Sequence, residues 1–420
     1  MQGLFILFRM EQQSLIPHLF RTEFRKIVAA ITKLFGLHYI EIAEDITSET
    51  FLLAAETWGK KGIPDNPTAW LYTVAKNKTK DYLKRNQIFT EKIAPHLKNE
   101  NEMSSEVDIT EKGIKDSELK MIFAVCHPSL PEEAQIGLAL RVLFGLGIDE
   151  IASAFLSNKE TINKRLHRAK EKLREENIKM EMPDDTDIPQ RLSSVYLTLY
   201  LLFNKGYYSS SENDILNKDI CLQALQLAYL LTEYQITNTP DLNALIALMC
   251  FHASRFEARM KDDNLILLDF QDRTLWNAAL INKGEWYLHL SATGEKLSKF
   301  HLEAAIAYWH TQTDKKAEKW SQILTYYNLL LQIDYSPITA MNRTYALYKN
   351  YGAEKAIGEA KKLNLDDNHL YHALLGHLYQ DINNEKAISH FQKSIMQSKT
   401  EKEKRLLHDK IQQIQKKASR

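Results

Sequence analysis

The chain has 420 residues, with 54 Lys and Arg against 54 Asp and Glu and a hydrophobic content of 44%, so its charge is balanced and it has apolar residues enough for about two or three domains. Only 14 Gly and 10 Pro, with little strand-like alternation, predict a nearly all-helical fold in which sheets are absent or minor. Three distant cysteines, Cys126, Cys221 and Cys250, indicate neither a disulfide framework nor a zinc site and read as buried thiols in a reducing cytoplasm, and no apolar run approaches the roughly 18 to 20 residues that cross a bilayer.

The opening MQGLFILFR lacks a basic n-region, a long h-region and a small-residue cleavage site, so it does not read as a signal peptide, and Met10 serves equally well as a start. The first helical block holds AEDITSETFLLAAETW, Ala43 to Trp58. Its period points Ile46, Thr50, Leu53, Ala54 and Thr57 inward and leaves Glu44, Asp45 and Glu49 as an acidic edge. Next comes NPTAWLYTVAKNKTKDYLKRN, Asn66 to Asn86. Here Leu71, Val74, Ala75 and Tyr82 are placed to face a core, with Thr73, Lys76, Asn77, Lys80 and Lys84 on another side. From Trp70 to Asn86 there are five Lys or Arg against one Asp. Aromatics beside cations suit single-stranded nucleic acid, because bases stack on rings while cations neutralise phosphate. Burial in a core is the competing role for Trp70 and Tyr72.

A polar stretch from Ile88 to Asp116, including KNENEMSSEVD, has little hydrophobic period and reads as a linker. Beyond it, GIDEIASAFLSNKETINKRLHRAKEKLRE carries seven Lys or Arg against two Glu between Lys159 and Arg174. Ile162, Leu166, Ala169 and Leu173 recur at helical spacing, with Thr161, Lys164, Arg165, Arg168 and Lys172 on the opposite side. Upstream, Ile148, Ile151, Ala152 and Phe155 form a shorter stripe, and Ser157-Asn158 breaks it with turn and N-cap residues. Helix, tight turn and basic helix make a helix-turn-helix, whose second helix lies in the major groove of DNA. A solvated basic face is the plainer alternative.

PDDTDIP, with two prolines and three aspartates, marks a boundary before one long helical region that opens with the stripe Leu192, Val195, Tyr196, Leu199 and Phe203. Near its end Tyr348 recurs as Tyr379, and EKAI at Glu354 to Ile357 recurs at Glu385 to Ile388, both displaced by 31 positions. A period near 34 suggests tetratricopeptide-like hairpins, which bury their faces only by stacking into a curved array. The 14 His and the carboxylates show no nucleophile–base, metal-ligand or phosphate-loop spacing, so an enzyme is the least favoured class and no cofactor or metal is called for.

The ordered set AED-x4-ETFLLAAETW, PDNPTAWLYTVAKNKTKDYLKRN and PEEAQIGLALRVLFGLGIDEIASAFLSNKETINKRLHRAKEKLRE resembles the extracytoplasmic-function branch of the bacterial sigma-70 family. VYLTLYLLFNKGYYSSS, LDFQDRTLWNAALI, HLEAAIAYWH and SPITAMNRTYALYKNYG resemble the tetratricopeptide-like C-terminal extension of one subgroup. The resemblance implies a polymerase and minus-10 domain over residues 10–87, a linker over 88–116, a minus-35 helix-turn-helix domain over 117–180 and a regulatory extension over 190–420. It implies that Glu44, Asp45, Glu49 and Phe51 meet core RNA polymerase. Lys60, Lys61, Asn66, Trp70, Lys76, Asn77, Lys80 and Lys84 would meet melted minus-10 DNA. Lys159, Thr161, Lys164, Arg165, Arg168 and Lys172 would meet minus-35 DNA. Ser48 stands where the family often has Gln, and Lys76, Lys164 and Lys170 where it has Arg. Lysine keeps phosphate neutralisation but not bidentate guanine recognition.

The expected function is therefore an alternative sigma factor acting in the cytoplasm on core polymerase and promoter DNA, with a protein or small-molecule partner for its extension and no membrane contact. A helix-turn-helix regulator with a sensing helical domain is the alternative. Such a regulator has no use for an acidic polymerase-docking helix followed by an aromatic and basic one.

Overall fold

The computed structural model describes residues 2–85, 110–155, 157–207, 218–261, 264–312, 316–380, 382–398 and 401–418. Among the described residues the fold is all-α apart from one antiparallel pair of two-residue strands, Met260–Lys261 against Asn264–Leu265. It divides into two compact units. One comprises Met1–Tyr207 and Asn217–Asn238, and the other includes Thr239–Arg420.

The first unit is built on α1 (Gln2–Phe35), whose Ile27, Val28, Ala29 and Ile31 are fully buried because α2 (Ile40–Lys61), α3 (Pro67–Arg85) and α4 (Glu111–Val125) pack around it. Most of the expected linker, residues 88–109, lies outside the described residues. Its last residues are already helical, since Thr110 caps α4 by accepting a hydrogen bond from Gly113 N at 3.0 Å. The chain continues through α5 (Glu132–Val142), α6 (Ile148–Ala154) and α7 (Lys159–Glu175). Then α8 (Ile188–Tyr207) and α9 (Lys218–Thr232) pair with each other and pack on α5 and α4 respectively, within the same unit. The expected stripe Leu192, Val195, Tyr196, Leu199 and Phe203 is buried throughout.

Three helices of this unit converge on one buried cation. The Arg25 guanidinium of α1, 2% exposed, donates from Nε to Glu118 Oε1 of α4 at 2.7 Å. It also donates to the Gln223 carbonyl at 3.3 Å and to Gln226 Oε1 at 3.0 Å on α9. A charge removed from water is tolerable only when its donors find acceptors, and the donors of Arg25 are shared between the two partner helices.

In the second unit α10 (Pro240–Ala253) is buried on all sides from Leu242 to Phe251, which makes it the central helix of its bundle. Helices α12 (Ala278–Ser291) and α13 (Lys299–Thr311) pack on it, following the four-residue α11 (Phe256–Arg259) and the strand pair. From there α14 (Lys316–Ile333), α15 (Pro337–Tyr351), α16 (Ala353–Lys361), α17 (His369–Tyr379), α18 (Asn384–Gln397) and α19 (Glu401–Ala418) each pack on the preceding helix. This is the stacking that the 31-residue displacement implies. Ala356 and Ala387, the same position of the two repeats, are both 0% exposed and sit in one apolar cluster with Phe391 and Ile414.

Close approach of α17 to α18 depends on Gly376, where an added Cβ would lie 2.6 Å from Cδ1 of the fully buried Phe391 ring. Gly376→Ala is therefore expected to destabilise the second unit by about 1 to 3 kcal/mol despite the better helix propensity of alanine. Thermal unfolding followed by circular dichroism checks this, and an unchanged or raised midpoint would contradict it.

Candidate polymerase and nucleic-acid interface

Helix α7 has the geometry that its sequence demands. Asn158 Oδ1 accepts from Thr161 N at 2.8 Å and so caps the helix, while Ile162, Leu166, Ala169 and Leu173 are buried against α5 and α6. Lys159, Thr161, Lys164, Arg168 and Lys172 are exposed on the far side. Three of these cations have carboxylate neighbours in water: Lys159 with Asp149 at 2.5 Å, Lys164 with Glu160 at 2.6 Å and Lys172 with Glu176 at 2.7 Å. Exposed pairs of this kind are worth about 0 to 1 kcal/mol, so they leave the cations available to phosphate. Arg165 differs from its sequence-based placement. It folds back onto the domain, with its guanidinium 2.6 Å from Glu133 and 5.2 Å from the Phe155 ring centroid, because a planar cation gains from both a carboxylate and an aromatic face.

Helix α3 begins at a turn in which Asn66 Oδ1 accepts from Ala69 N at 2.9 Å, so the side-chain carbonyl expected at DNA serves as a helix cap. Trp70 is half-buried, its ring edge-on to Trp58 at 5.4 Å, and Trp58 itself is 2% exposed. Tyr72 is no base platform. It is buried, and its hydroxyl donates to Glu23 Oε2 at 2.9 Å, with burial and that carboxylate pushing its pKa well above the ordinary phenol range. Lys60, Lys61 and Asn77 are exposed, Lys76 and Lys80 are half-buried, and the side chain of Lys84 lies outside the described residues.

On α2 the expected acidic edge divides. Asp45 and Glu49 are exposed, Glu49 pairing with Lys78 of α3 at 2.7 Å, and both line a groove of about 520 Å³ with Asp81 and Tyr82. Glu44 instead is 5% exposed. Its Oε1 lies 3.1 Å from Arg141 Nε of α5, and its Oε2 accepts from Lys170 Nζ of α7 at 3.0 Å. Phe51 is also buried, at 4%, edge-on to Phe20 at 5.1 Å. Leu53, placed inward by its period, is 37% exposed and Leu52 is 60% exposed. Asp45, Glu49, Leu52 and Glu56 thus form one continuous exposed face at i, i+4, i+7 and i+11. That spacing is visible in the sequence and would have added Leu52 to the candidate residues.

The match to known families follows the same order along the chain. Residues 19–88 match sigma-70 region 2, residues 120–173 match sigma-70 region 4, and residues 191–292 match a family of unknown function, DUF6596. An uncharacterized protein of Rhizobium meliloti (strain 1021) is 30% identical over 352 residues, covering 82% of this chain and 82% of that protein. No solved structure matches the chain. The chain belongs to the sigma-70 family as a factor of the extracytoplasmic-function type with a C-terminal extension. It is an RNA polymerase sigma factor, with core polymerase and promoter DNA as its partners. Among the described residues no helix is long and apolar enough to cross a membrane.

Proposed function

We propose that this chain is an alternative sigma factor of the cytoplasm, associated with the nucleoid when bound to polymerase. In this reading it docks on core polymerase through α2, holds melted minus-10 DNA with α3 and the turn before it, and reads the minus-35 element with α7. It starts transcription without a catalytic group of its own. The observation that carries the reading is the capped α7, with its apolar stripe buried and five polar or cationic side chains exposed together. Holding a flipped base costs a few kcal/mol, which binding alone can supply. The C-terminal extension regulates these steps through its own partner. Docking through Glu44 and Phe51 requires that both leave the burial described above.

Transcript starts mapped after mixing the purified chain with core polymerase and fragmented DNA from its own genome test this reading. Initiation at sites sharing two spaced elements supports it, whereas initiation independent of the chain would favour the helix-turn-helix regulator. Arg168→Ala is expected to weaken promoter binding by about 1 to 3 kcal/mol if Arg168 reads a base, or to lower the salt slope if it meets a phosphate. An unchanged affinity and slope would count against the assigned orientation of α7.

A further inference from the structure

The segment that matches the family of unknown function begins inside the first unit, not after it. Helix α9 lies wholly, and α8 almost wholly, within the matched residues 191–292, yet both pack among the sigma-70 helices. The two sides of this helix pair differ in chemistry. On one side α8 packs on α5 and α4, and its Val195, Leu199 and Leu202 are 0% exposed. There the Cys126 thiol at the end of α4 lies 3.5 Å from Thr198 Oγ1, and both residues are buried. On the other side α9 meets α1 through polar groups. Asp219 Oδ2 accepts from Arg21 Nε at 2.5 Å, and Gln223 Nε2 donates to the Arg21 carbonyl. Arg25 adds its bonds to the Gln223 carbonyl and to Gln226. Arg21 and Arg25 lie in the segment that matches region 2, whereas α5 and the end of α4 lie in the segment that matches region 4. The helix pair therefore joins the two regions.

Its two attachments come apart at different cost. Parting α8 from α5 and α4 returns apolar surface to water, which is unfavourable throughout. Parting α9 from α1 returns charges and amides to water, which hydrates them in place of the bonds they lose. Even the buried pair of Arg25 and Glu118 separates at small net cost when both partners are solvated together, because the attraction of buried ions roughly offsets their desolvation. Loss of one partner alone is the costly case.

The promoter demands such a separation. In the proposed reading α3 holds the minus-10 element and α7 reads the minus-35 element, which lie about 25 base pairs, and so about 85 Å, apart on B-DNA. Here one helix reaches both: Glu49 of α2 pairs with Lys78 of α3, and Glu44 of α2 pairs with Lys170 of α7. Glu44 and Glu49 are about 8 Å apart along the helix axis. Two side-chain contacts so close on one helix do not stretch over the distance between the elements, so α3 and α7 cannot occupy both in this arrangement. It is a closed form that has to open.

We infer that the α8–α9 pair is an internal restraint: held on region 4 by α8, it fastens α1 of region 2 through Asp219, Gln223 and Gln226 and keeps the chain closed until polymerase and promoter draw the regions apart. What is restrained rests on the sigma-factor reading, whereas the fastening itself does not. The surface that α9 fits is the arginine-bearing face of α1, where Arg21 and Arg25 stand one turn apart. A closed chain lowers the apparent affinity for polymerase in proportion to the fraction closed, so loosening the restraint raises it.

The test uses the full-length chain. Asp219→Arg and Arg21→Asp each set like charges face to face, and the double variant carrying both restores an opposite pair. The two side chains are 43% and 28% exposed, so the helices should remain folded. Dyes on Ala55→Cys of α2 and Glu175→Cys of α7, both exposed positions, report the separation of the regions by energy transfer, since Cys126, Cys221 and Cys250 are buried. Each single reversal is expected to lower the transfer and to raise the affinity for core polymerase by about 2- to 10-fold, and the double variant to return both to the parent values. The dye measurement needs no polymerase. This pattern of transfer in a chain that binds no polymerase would count against the sigma-factor reading while supporting the restraint. Single reversals with unchanged transfer, with lowered polymerase affinity, or with effects that the double variant does not reverse would overturn the restraint.

Discussion

Arg25→Ala is expected to cost about 3 to 5 kcal/mol in the unfolding of the first unit, the range for breaking a buried ion pair by removing one partner. The substitution strands the Glu118 carboxylate, whose side chain is 4% exposed, and at the same time leaves the Gln223 carbonyl and Gln226 without this donor. Most of the cost is desolvation of the abandoned charge rather than loss of attraction. Arg25→Met combined with Glu118→Leu should accordingly recover much of the loss, since an apolar pair leaves no buried charge behind. Urea titration followed by circular dichroism measures both, provided that the transitions of the two units are resolved. A single variant with an unchanged midpoint would mean that α1, α4 and α9 do not meet at this guanidinium.

The second large effect is expected at the polymerase. Asp45→Lys combined with Glu49→Lys inverts the charge of the exposed face of α2, and like charges brought together at an interface cost several kcal/mol, where each 1.4 kcal/mol is about tenfold in affinity. Glu49 also loses its pair with Lys78, but both side chains are substantially exposed, at 62% and 30%, so the effect on folding should stay below about 1 kcal/mol. Titration of labelled core polymerase with the folded double variant checks this. Binding equal to that of the parent chain would remove α2 from the proposed docking surface.

Local pattern predicted local facts well. A helical period placed Ile162, Leu166, Ala169 and Leu173 on the buried side of α7, and a turn residue at Asn158 proved to be its cap. The repeat displacement likewise brought Ala356 and Ala387 to equivalent buried positions. Periodicity assigns a side chain to a face, however, and does not say what covers that face. Glu44 was assigned to an open acidic edge because its partners, Arg141 and Lys170, are about a hundred positions away in sequence and enter only through tertiary packing. Arg165, set by its period on the outward side of α7, turns back for the same reason, its partner Glu133 lying on another helix.

The ion pairs of Glu44 carry a thermodynamic consequence. One carboxylate cannot serve Arg141 and Lys170 and also a polymerase surface, so in the proposed docking the two uses exclude each other. Occupying α2 then means releasing α7, the helix that carries Lys170, and the free energy that holds these helices together is subtracted from polymerase affinity. Linkage makes the relation reciprocal: whatever draws α7 away, promoter DNA included, strengthens polymerase binding by the same factor that polymerase strengthens DNA binding. Cooperative assembly of the three components would follow from the geometry of a single side chain, and Glu44→Gln, which weakens the competition without removing the hydrogen-bonding shape, would reduce that cooperativity.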